Sequence, residues 1–324
     1  MDAHGRLIDY LRISVTDRCD ERCLYCMPEG YRGWERRPDP LSREEILRVV
    51  RVAAELGFRK FRLTGGEPLV RRDVPELVRA MKALPGVRRV GLSTNGARLA
   101  ALARPLREAG LGTVNISLDA LSPEGYRRIT GGRVERVLEG IAAAVEAGFE
   151  RVKLNTVLLA GVNEEEIWPL IRFAARHDLP LRLIELMPVS PAEQLDDTNF
   201  LSAAAVMERL RRREALIPVS DARLGYGPAK YYRLAETGAL VGFIGAMTNH
   251  HFCDTCNRVR LTADGKVRPC LGNHGELDLR AMLRAGAKDA DVAAVLREAL
   301  AQKPPRHEFC GAYAPARPMT AIGG

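Results

Sequence analysis

A chain of 324 residues is long enough to bury a substantial core and to fold as one large domain with an appendage. Hydrophobic residues make up 46% and charged residues 28%, an ordinary globular balance. No apolar run approaches a membrane span, and Met1-Asp2-Ala3-His4-Gly5-Arg6 carries no apolar signal core, so the expectation is a cytoplasmic protein with no membrane partner. A net charge of +8 favours polyanionic partners (nucleotides, nucleic acid or an acidic protein), although composition bias alone gives the same sum.

The first predicted element is a strand over Tyr10 to Thr16. It leads directly into Cys19-Asp20-Glu21-Arg22-Cys23-Leu24-Tyr25-Cys26, three thiols at C-x3-C-x2-C spacing. Ile46, Val49, Val50, Ala53 and Leu56 fall at helical spacing and predict a helix over Leu41 to Gly57. Ser42 is its N-cap, Glu45 completes a capping box and Gly57 ends it. A strand over Lys60 to Thr64 follows, then a helix from Asp73 to Leu84, a strand from Val87 to Ser93, and a helix from Arg98 to Ala109 stopped by Gly110. Next come a strand over Thr113 to Leu118, a helix from Arg133 to Ala147, and a strand from Arg151 to Leu158. A helix from Glu164 to His177 and a sixth strand over Leu181 to Leu186 complete the regular part. Strands separated by helices are the pattern of parallel βα units, closing as a full or partial barrel or spreading as an open sheet.

Beyond Pro188 the regularity ends. We expect a loop from Pro191 to Asn199, a helix from Ser202 to Arg213, short strands between Tyr231 and Leu261, and helices over Asp278 to Leu283 and Asp289 to Leu300. Pro304, Pro305, Pro315 and Pro318 keep the tail out of regular structure. The chain divides on this reading into a barrel unit, 1–220, and a second region, 221–324. Cys19, Gly65, Asn95 and Met187 each follow a strand end, where barrel and doubly wound folds both place their sites.

Six of the seven cysteines fall in two triplets, and Cys310 stands apart as an ordinary thiol. Without a sign of secretion, triplets read as metal or cluster ligands rather than disulfides. Three thiolates can hold three irons of a four-iron cluster and leave the fourth open to a small molecule; a ferredoxin would close its cluster with a fourth cysteine. The bland alternative is a structural zinc, which normally takes four closed ligands. In Thr64-Gly65-Gly66-Glu67-Pro68 the glycines allow close backbone approach to a ligand, and Glu67 offers an acceptor for an amino group. A plain structural turn explains that segment equally well. Cys253, Cys256 and Cys270 give C-x2-C-x13-C, where zinc competes on even terms because His274 could complete a Cys3His site, with His250 and His251 as further candidates. Arg258 and Arg260 would share one face of a strand. They suit phosphates, or are two solvated surface arginines.

The C-x3-C-x2-C loop with Tyr25 inside it, followed by Gly-Gly-Glu-Pro, resembles the radical S-adenosylmethionine superfamily. Both triplets, Cys256-Asn257-Arg258-Val259-Arg260, Ile184-Glu185-Leu186-Met187 and Gly323-Gly324 together resemble the GTP 3′,8-cyclase family of molybdenum-cofactor synthesis, essentially from end to end. The resemblance implies an α/β fold, an incomplete (β/α)6 TIM-like barrel with a C-terminal α+β extension carrying a second iron–sulfur cluster. It implies a carbon–carbon lyase using two [4Fe-4S] clusters and S-adenosylmethionine, with GTP as substrate and cyclic pyranopterin monophosphate synthase as the downstream enzyme. It leaves the electron donor open and is compatible with a homodimer. Carried over by residue, Cys19, Cys23 and Cys26 hold the radical-generating cluster, and Cys253, Cys256 and Cys270 the substrate-side cluster. Tyr25, Gly66, Ser117, Arg182 and Met187 match S-adenosylmethionine contacts. Arg12, Arg62, Ser93, Lys153, Arg258, Val259 and Arg260 match contacts to GTP. Gly323 and Gly324 match a tail that assists radical initiation, with Arg317 contributing charge there.

Two other readings compete. A peptide-modifying radical enzyme with an auxiliary cluster would share both triplets without needing Arg258, Arg260 or the Gly-Gly tail. A basic zinc-stabilised nucleic-acid binder would leave the βα units and Gly-Gly-Glu-Pro unexplained, and no basic–aromatic stripe supports it.

Overall fold

The alternation of strand and helix continues through most of the chain in the computed structural model, which describes residues 1–27, 31, 40–190, 195–221, 224, 227–309 and 313–324. In order, the elements are β1 (Tyr10–Ser14), α1 (Arg43–Glu55), β2 (Lys60–Thr64), α2 (Val74–Ala83), β3 (Arg89–Thr94), α3 (Leu99–Glu108), β4 (Thr113–Ser117), α4 (Pro123–Thr130), α5 (Val134–Glu146), β5 (Arg151–Leu158), α6 (Ile167–Arg176) and β6 (Leu181–Glu185). Then come α7 (Ala203–Arg211), β7 (Leu216–Val219), β8 (Lys230–Leu234), β9 (Leu240–Ile244), β10 (Arg258–Leu261), β11 (Lys266–Arg268), β12 (Leu277–Asp278), α8 (Leu279–Arg284), α9 (Asp289–Ala301) and α10 (Met319–Ile322). None of the described helices is long and apolar enough to cross a membrane.

The twelve strands among the described residues form one sheet in the order β12-β11-β10-β1-β2-β3-β4-β5-β6-β9-β8-β7. β1 to β6 are parallel neighbours, as the βα pattern predicts. The C-terminal region supplies one further parallel strand to each edge, β10 beside β1 and β9 beside β6, and antiparallel strands continue outward from both. The expected boundary at 220/221 falls between β7 and β8, which pair with each other. The sheet therefore runs across it.

Strand alternation sorts the side chains. On one face Leu11, Ile13, Phe61, Leu63, Val90, Leu92, Val114 and Ile116 are fully buried and share a core with Ile46, Val49 and Val50 of α1 and Leu77, Val78 and Met81 of α2. On the other face Arg12, Arg62, Ser93, Asn115, Lys153 and Arg182 line a single cavity. Strands of parallel sheets are usually apolar on both faces. Here one face is polar because the sheet curves around a cavity rather than a packed interior.

The capping box of α1 is present, with Glu45 N–H donating to Ser42 Oγ at 3.1 Å and Ser42 N–H to Glu45 Oε2 at 2.7 Å. β11 and β12 lie beyond the expected strands, and three further elements differ from expectation. α4 lies where no helix is predicted; it is one short stretch, capped by Ser122 with Pro123 in its first turn. β7 contains Pro218, which is tolerated because the strand is at the sheet edge. The tail forms the four-residue α10, since Pro318 precedes that helix as its N-cap instead of interrupting it. Of the loop expected over Pro191 to Asn199, residues 191–194 lie outside the described residues, and Asp197–Asn199 forms a 3-10 turn.

Candidate active site

The first cysteine loop is fastened from several sides. Gly66 N–H donates to Thr16 O and Glu67 N–H to Arg18 O, both at 2.8 Å. A Cβ on Gly65 would stand 2.4 Å from Thr16 O, and one on Gly66 2.4 Å from Arg18 O. The paired glycines thus admit the backbone of the cysteine loop itself, in addition to lining the cavity. Arg22 and Leu24 donate backbone N–H groups to Thr130 O and Ile129 O at the end of α4. Asp20 accepts from Asn95 Nδ2 at 2.9 Å and from Arg98 Nε at 2.6 Å. Glu21, 4% exposed, accepts from the Tyr126 hydroxyl at 2.9 Å. The Tyr25 hydroxyl donates to Asp119 Oδ2 at 2.6 Å, and Asp119 Oδ1 accepts from Val157 N–H.

Of the two readings open for the Gly-Gly-Glu-Pro segment, the structural turn is the one that fits the hydrogen bonds of Glu67. Its carboxylate is 1% exposed and accepts from Leu69 N–H (2.9 Å), Thr94 Oγ1 (2.7 Å) and Asn95 N–H (2.7 Å), so it stitches the end of β2 to the end of β3. Burial raises its pKa to about 7, against the pull of those hydrogen bonds. These three bonds commit it to the scaffold, and it does not line the cavity.

Cys19, Cys23 and Cys26 line the same cavity as Cys253, Cys256 and Cys270, and all six are free thiols. Cys310 lies outside the described residues. The thiols do not all shift the same way: Cys256 is lowered, whereas burial raises Cys253 as it raises the first triplet. Burial pushes all three thiols of the first triplet up, Cys26 to about 12, and Glu67, Asp20, Glu21 and Asp119 push Cys19 or Cys23 the same way. In the second triplet burial raises Cys256, but Arg258 and Lys303 outweigh it and bring the thiol down to about 6. Arg258 Nη2 also donates to Cys256 Sγ at 3.7 Å. Among the described residues no three His, Cys, Asp or Glu side chains converge on a point that would hold a single metal ion. The donor set, three thiols around a cavity in each case, suits iron–sulfur clusters. The His274 ring stacks on Tyr313, with centroids 4.9 Å apart and planes 17° from parallel, and it does not line the cavity.

Between the triplets the cavity, about 420 Å³, is lined by cations from most of the parallel strands, within the size range of small-molecule sites. In register across the sheet, Arg260 sits beside Arg12, and Arg12 beside Arg62. Arg62 donates to Tyr10 Oη, Leu92 O and Thr113 Oγ1, lying over Gly91, where a Cβ would come within 2.7 Å of its Nη2. Lys153 donates to Tyr231 Oη at 2.9 Å and to Leu224 O. Burial, with Arg182, Arg151 and Arg62 nearby, lowers its pKa to about 6. Arg182 donates to Asn155 Oδ1 at 2.8 Å. Ser93, Ser117 and Met187 also face the cavity.

The chain returns to this cavity at its tail. Gly324 O accepts from Thr64 Oγ1 at 2.6 Å and from Arg12 Nη2. Gly323 has a φ of +90°, and a Cβ on it would meet Ser14 Cβ at 2.8 Å. Only glycine fits there.

Comparison with known proteins agrees with this geometry. The profile of the radical SAM superfamily matches residues 13–174, and that of molybdenum cofactor synthesis C matches residues 179–309. A GTP 3′,8-cyclase of Pelotomaculum thermopropionicum is 46% identical over 100% of this chain and 99% of its own length. That of Moorella thermoacetica is 46% identical with the same coverage of both chains. The chain belongs to the GTP 3′,8-cyclase family. Among solved structures, Streptococcus suis SuiB bound to its precursor peptide SuiA shares the fold, with a TM-score of 0.63 at 16% identity over 90% of this chain and 67% of that one.

This member of the cyclase family departs from two of the residue expectations. Arg317 does not line the cavity. It forms paired hydrogen bonds to Asp264 (both 2.8 Å) and Glu276 (2.9 and 3.0 Å), which hold its charge beside those carboxylates and fasten the tail to the β10–β12 region. Val259 is fully buried in the hydrophobic core because strand alternation turns it away from the face that Arg258 and Arg260 share. Sequence reading missed Tyr10, Asn115, Arg151, Tyr231 and Lys303, which also line the cavity. Stepping by two along β1, β4 and β5 from Arg12, Ser117 and Lys153 would have found the first three. Lys303 has no such periodic signal.

Proposed function

We propose that this chain is a radical S-adenosylmethionine GTP 3′,8-cyclase, joining the ribose 3′ carbon of GTP to carbon 8 of its guanine. The product is (8S)-3′,8-cyclo-7,8-dihydroguanosine 5′-triphosphate, which a cyclic pyranopterin monophosphate synthase would consume. When bound, a reduced four-iron cluster with S-adenosylmethionine supplies the 5′-deoxyadenosyl radical for removal of the 3′ hydrogen. Cys19, Cys23 and Cys26 would hold that cluster, with Tyr25, Gly66, Ser117, Arg182 and Met187 as contacts to S-adenosylmethionine. Cys253, Cys256 and Cys270 would hold a second four-iron cluster on the substrate side. Arg12, Arg62, Lys153, Arg258 and Arg260 would neutralise the triphosphate through charge-assisted hydrogen bonds, and Ser93 would add a hydroxyl contact. The tail glycines would order the site from beneath by engaging Arg12 and Thr64.

The observation that carries this reading is that both cysteine triplets open into one cavity with a cationic wall between them. Anaerobic purification should give brown protein with about eight irons per chain. GTP, S-adenosylmethionine and a reductant should then yield the cyclised nucleotide. Colourless protein containing zinc, or S-adenosylmethionine cleavage with GTP left intact, would refute it.

A further inference from the structure

Two buried cations reach the segments that carry the second triplet, and their charges are handled differently. Arg6 donates through Nη1 to Cys253 O (3.2 Å) and Pro305 O (2.9 Å), and through Nη2 to Pro304 O (2.6 Å). Its charge is matched by Asp2, 2.6 Å away and itself fully buried. Lys303 is 2% exposed. Its Nζ donates to Arg258 O at 2.8 Å and to Pro269 O at 2.7 Å. Arg258 lies two residues after Cys256, and Pro269 immediately precedes Cys270. One ammonium therefore bridges the two arms of the C-x2-C-x13-C ligand set. Among the described residues no carboxylate is paired with it; the nearby groups that would favour its charge, once deprotonated, are the thiols Cys256 and Cys270.

An ammonium this deeply buried is costly without a counter-charge. Carbonyl oxygens supply hydrogen bonds but no net charge. The structure assigns Lys303 as the positioning residue of the second triplet: it ties the Cys256 and Cys270 segments together and stands as the counter-ion to the thiolate-bound cluster. This rests on the reading that the second triplet holds a cluster. Net charge and hydrogen bonding near the sulfurs set the potential of such a cluster. A nearby cation favours the reduced, more negative state and raises the potential. Arg6, already neutralised, would act on the same segments by geometry alone.

The test compares the full-length protein with Lys303→Met and Lys303→Arg after anaerobic reconstitution, using iron and sulfide content and an EPR-monitored redox titration that resolves the two clusters. In the parent, four irons in place of eight would defeat the two-cluster reading itself, independently of Lys303. Given eight, Lys303→Met should either lose about half of its iron while the first cluster keeps its EPR response to S-adenosylmethionine, or keep the iron and show a more negative potential at the second cluster only. Lys303→Arg should recover most of whichever property is lost. Full iron with an unchanged second potential in Lys303→Met would overturn the assignment. So would equal loss from both clusters, which would show that Lys303 supports the whole fold and not one ligand set.

Discussion

Replacing Arg260 with methionine should weaken GTP binding without weakening the protein. Arg260 is 7% exposed, and its Nε has no hydrogen-bond partner among the described residues, as is also true of Arg12 Nε. Arg12 stands beside it in register and Arg268 opposite it. Burial first, and Arg258 next, bring its pKa down to about 10. The ligand-free site thus concentrates like charges, offset in part by Cys270 and Cys256, that an incoming anion would satisfy. A charge-assisted hydrogen bond contributes about 1.5–3 kcal/mol, and about 1.4 kcal/mol is a factor of ten. Arg260→Met should therefore raise the Kd for GTP about ten- to a hundredfold in an anaerobic titration. The same substitution removes an unmatched buried charge while keeping most of the side-chain volume, so the melting temperature without GTP should hold or rise. An unchanged Kd would refute the phosphate role. A melting temperature that falls along with affinity would show that Arg260 is part of the scaffold.

Further outcomes follow from other parts of the cavity. Lys153 has its pKa lowered from 10.5 to about 6 by burial and neighbouring cations, so between those values the unfolded chain binds more protons than the folded one, and ligand-free stability should rise with pH across that window. A bound triphosphate restores the charge. GTP binding near pH 7.5 should then take up a proton, seen by calorimetry in buffers of different ionisation heat, and Lys153→Met should abolish the uptake; none in the parent would sink the idea. Gly323→Ala forces a Cβ to within 2.8 Å of Ser14 at a φ of +90°, and should cut cyclisation at least about tenfold with iron content intact. Normal turnover would show that the tail contact is incidental. Arg317→Met should lower stability by about 1–3 kcal/mol in urea, because Asp264 and Glu276 each lose a charged partner and are left with Thr262 and Arg268 respectively. Activity per folded molecule should be kept, and a fully stable but inactive variant would return Arg317 to the chemistry.

Local signals were legible wherever a single segment carried them. β2 and β5 have the expected limits, and the Ser42–Glu45 box was readable from four residues. The cysteine triplets were legible as candidate ligands because thiols at such spacings have few other uses, and the structure brings both to one cavity. Hidden features depended on distant partners. Arg317 is claimed by Asp264 and Glu276, 53 and 41 residues away, and no local pattern shows which charges will meet. Glu67 could not be seen to face Thr94 and Asn95 until β2 and β3 were placed side by side. Val259 illustrates the opposite case: the period-two rule that grouped Arg258 with Arg260 already required it to point away.

The order of the sheet constrains how the chain is made. β1 leaves the ribosome more than two hundred residues ahead of its outer neighbour β10, which is not synthesised until residues 258–261. Until then β1 is an open, unpaired edge, exposed to aggregation. β6 waits likewise for β9. A chain cut short before β9 therefore lacks the covers for both sides of its parallel block, and the cavity cannot close until β9, β10 and the Gly324 segment have been made.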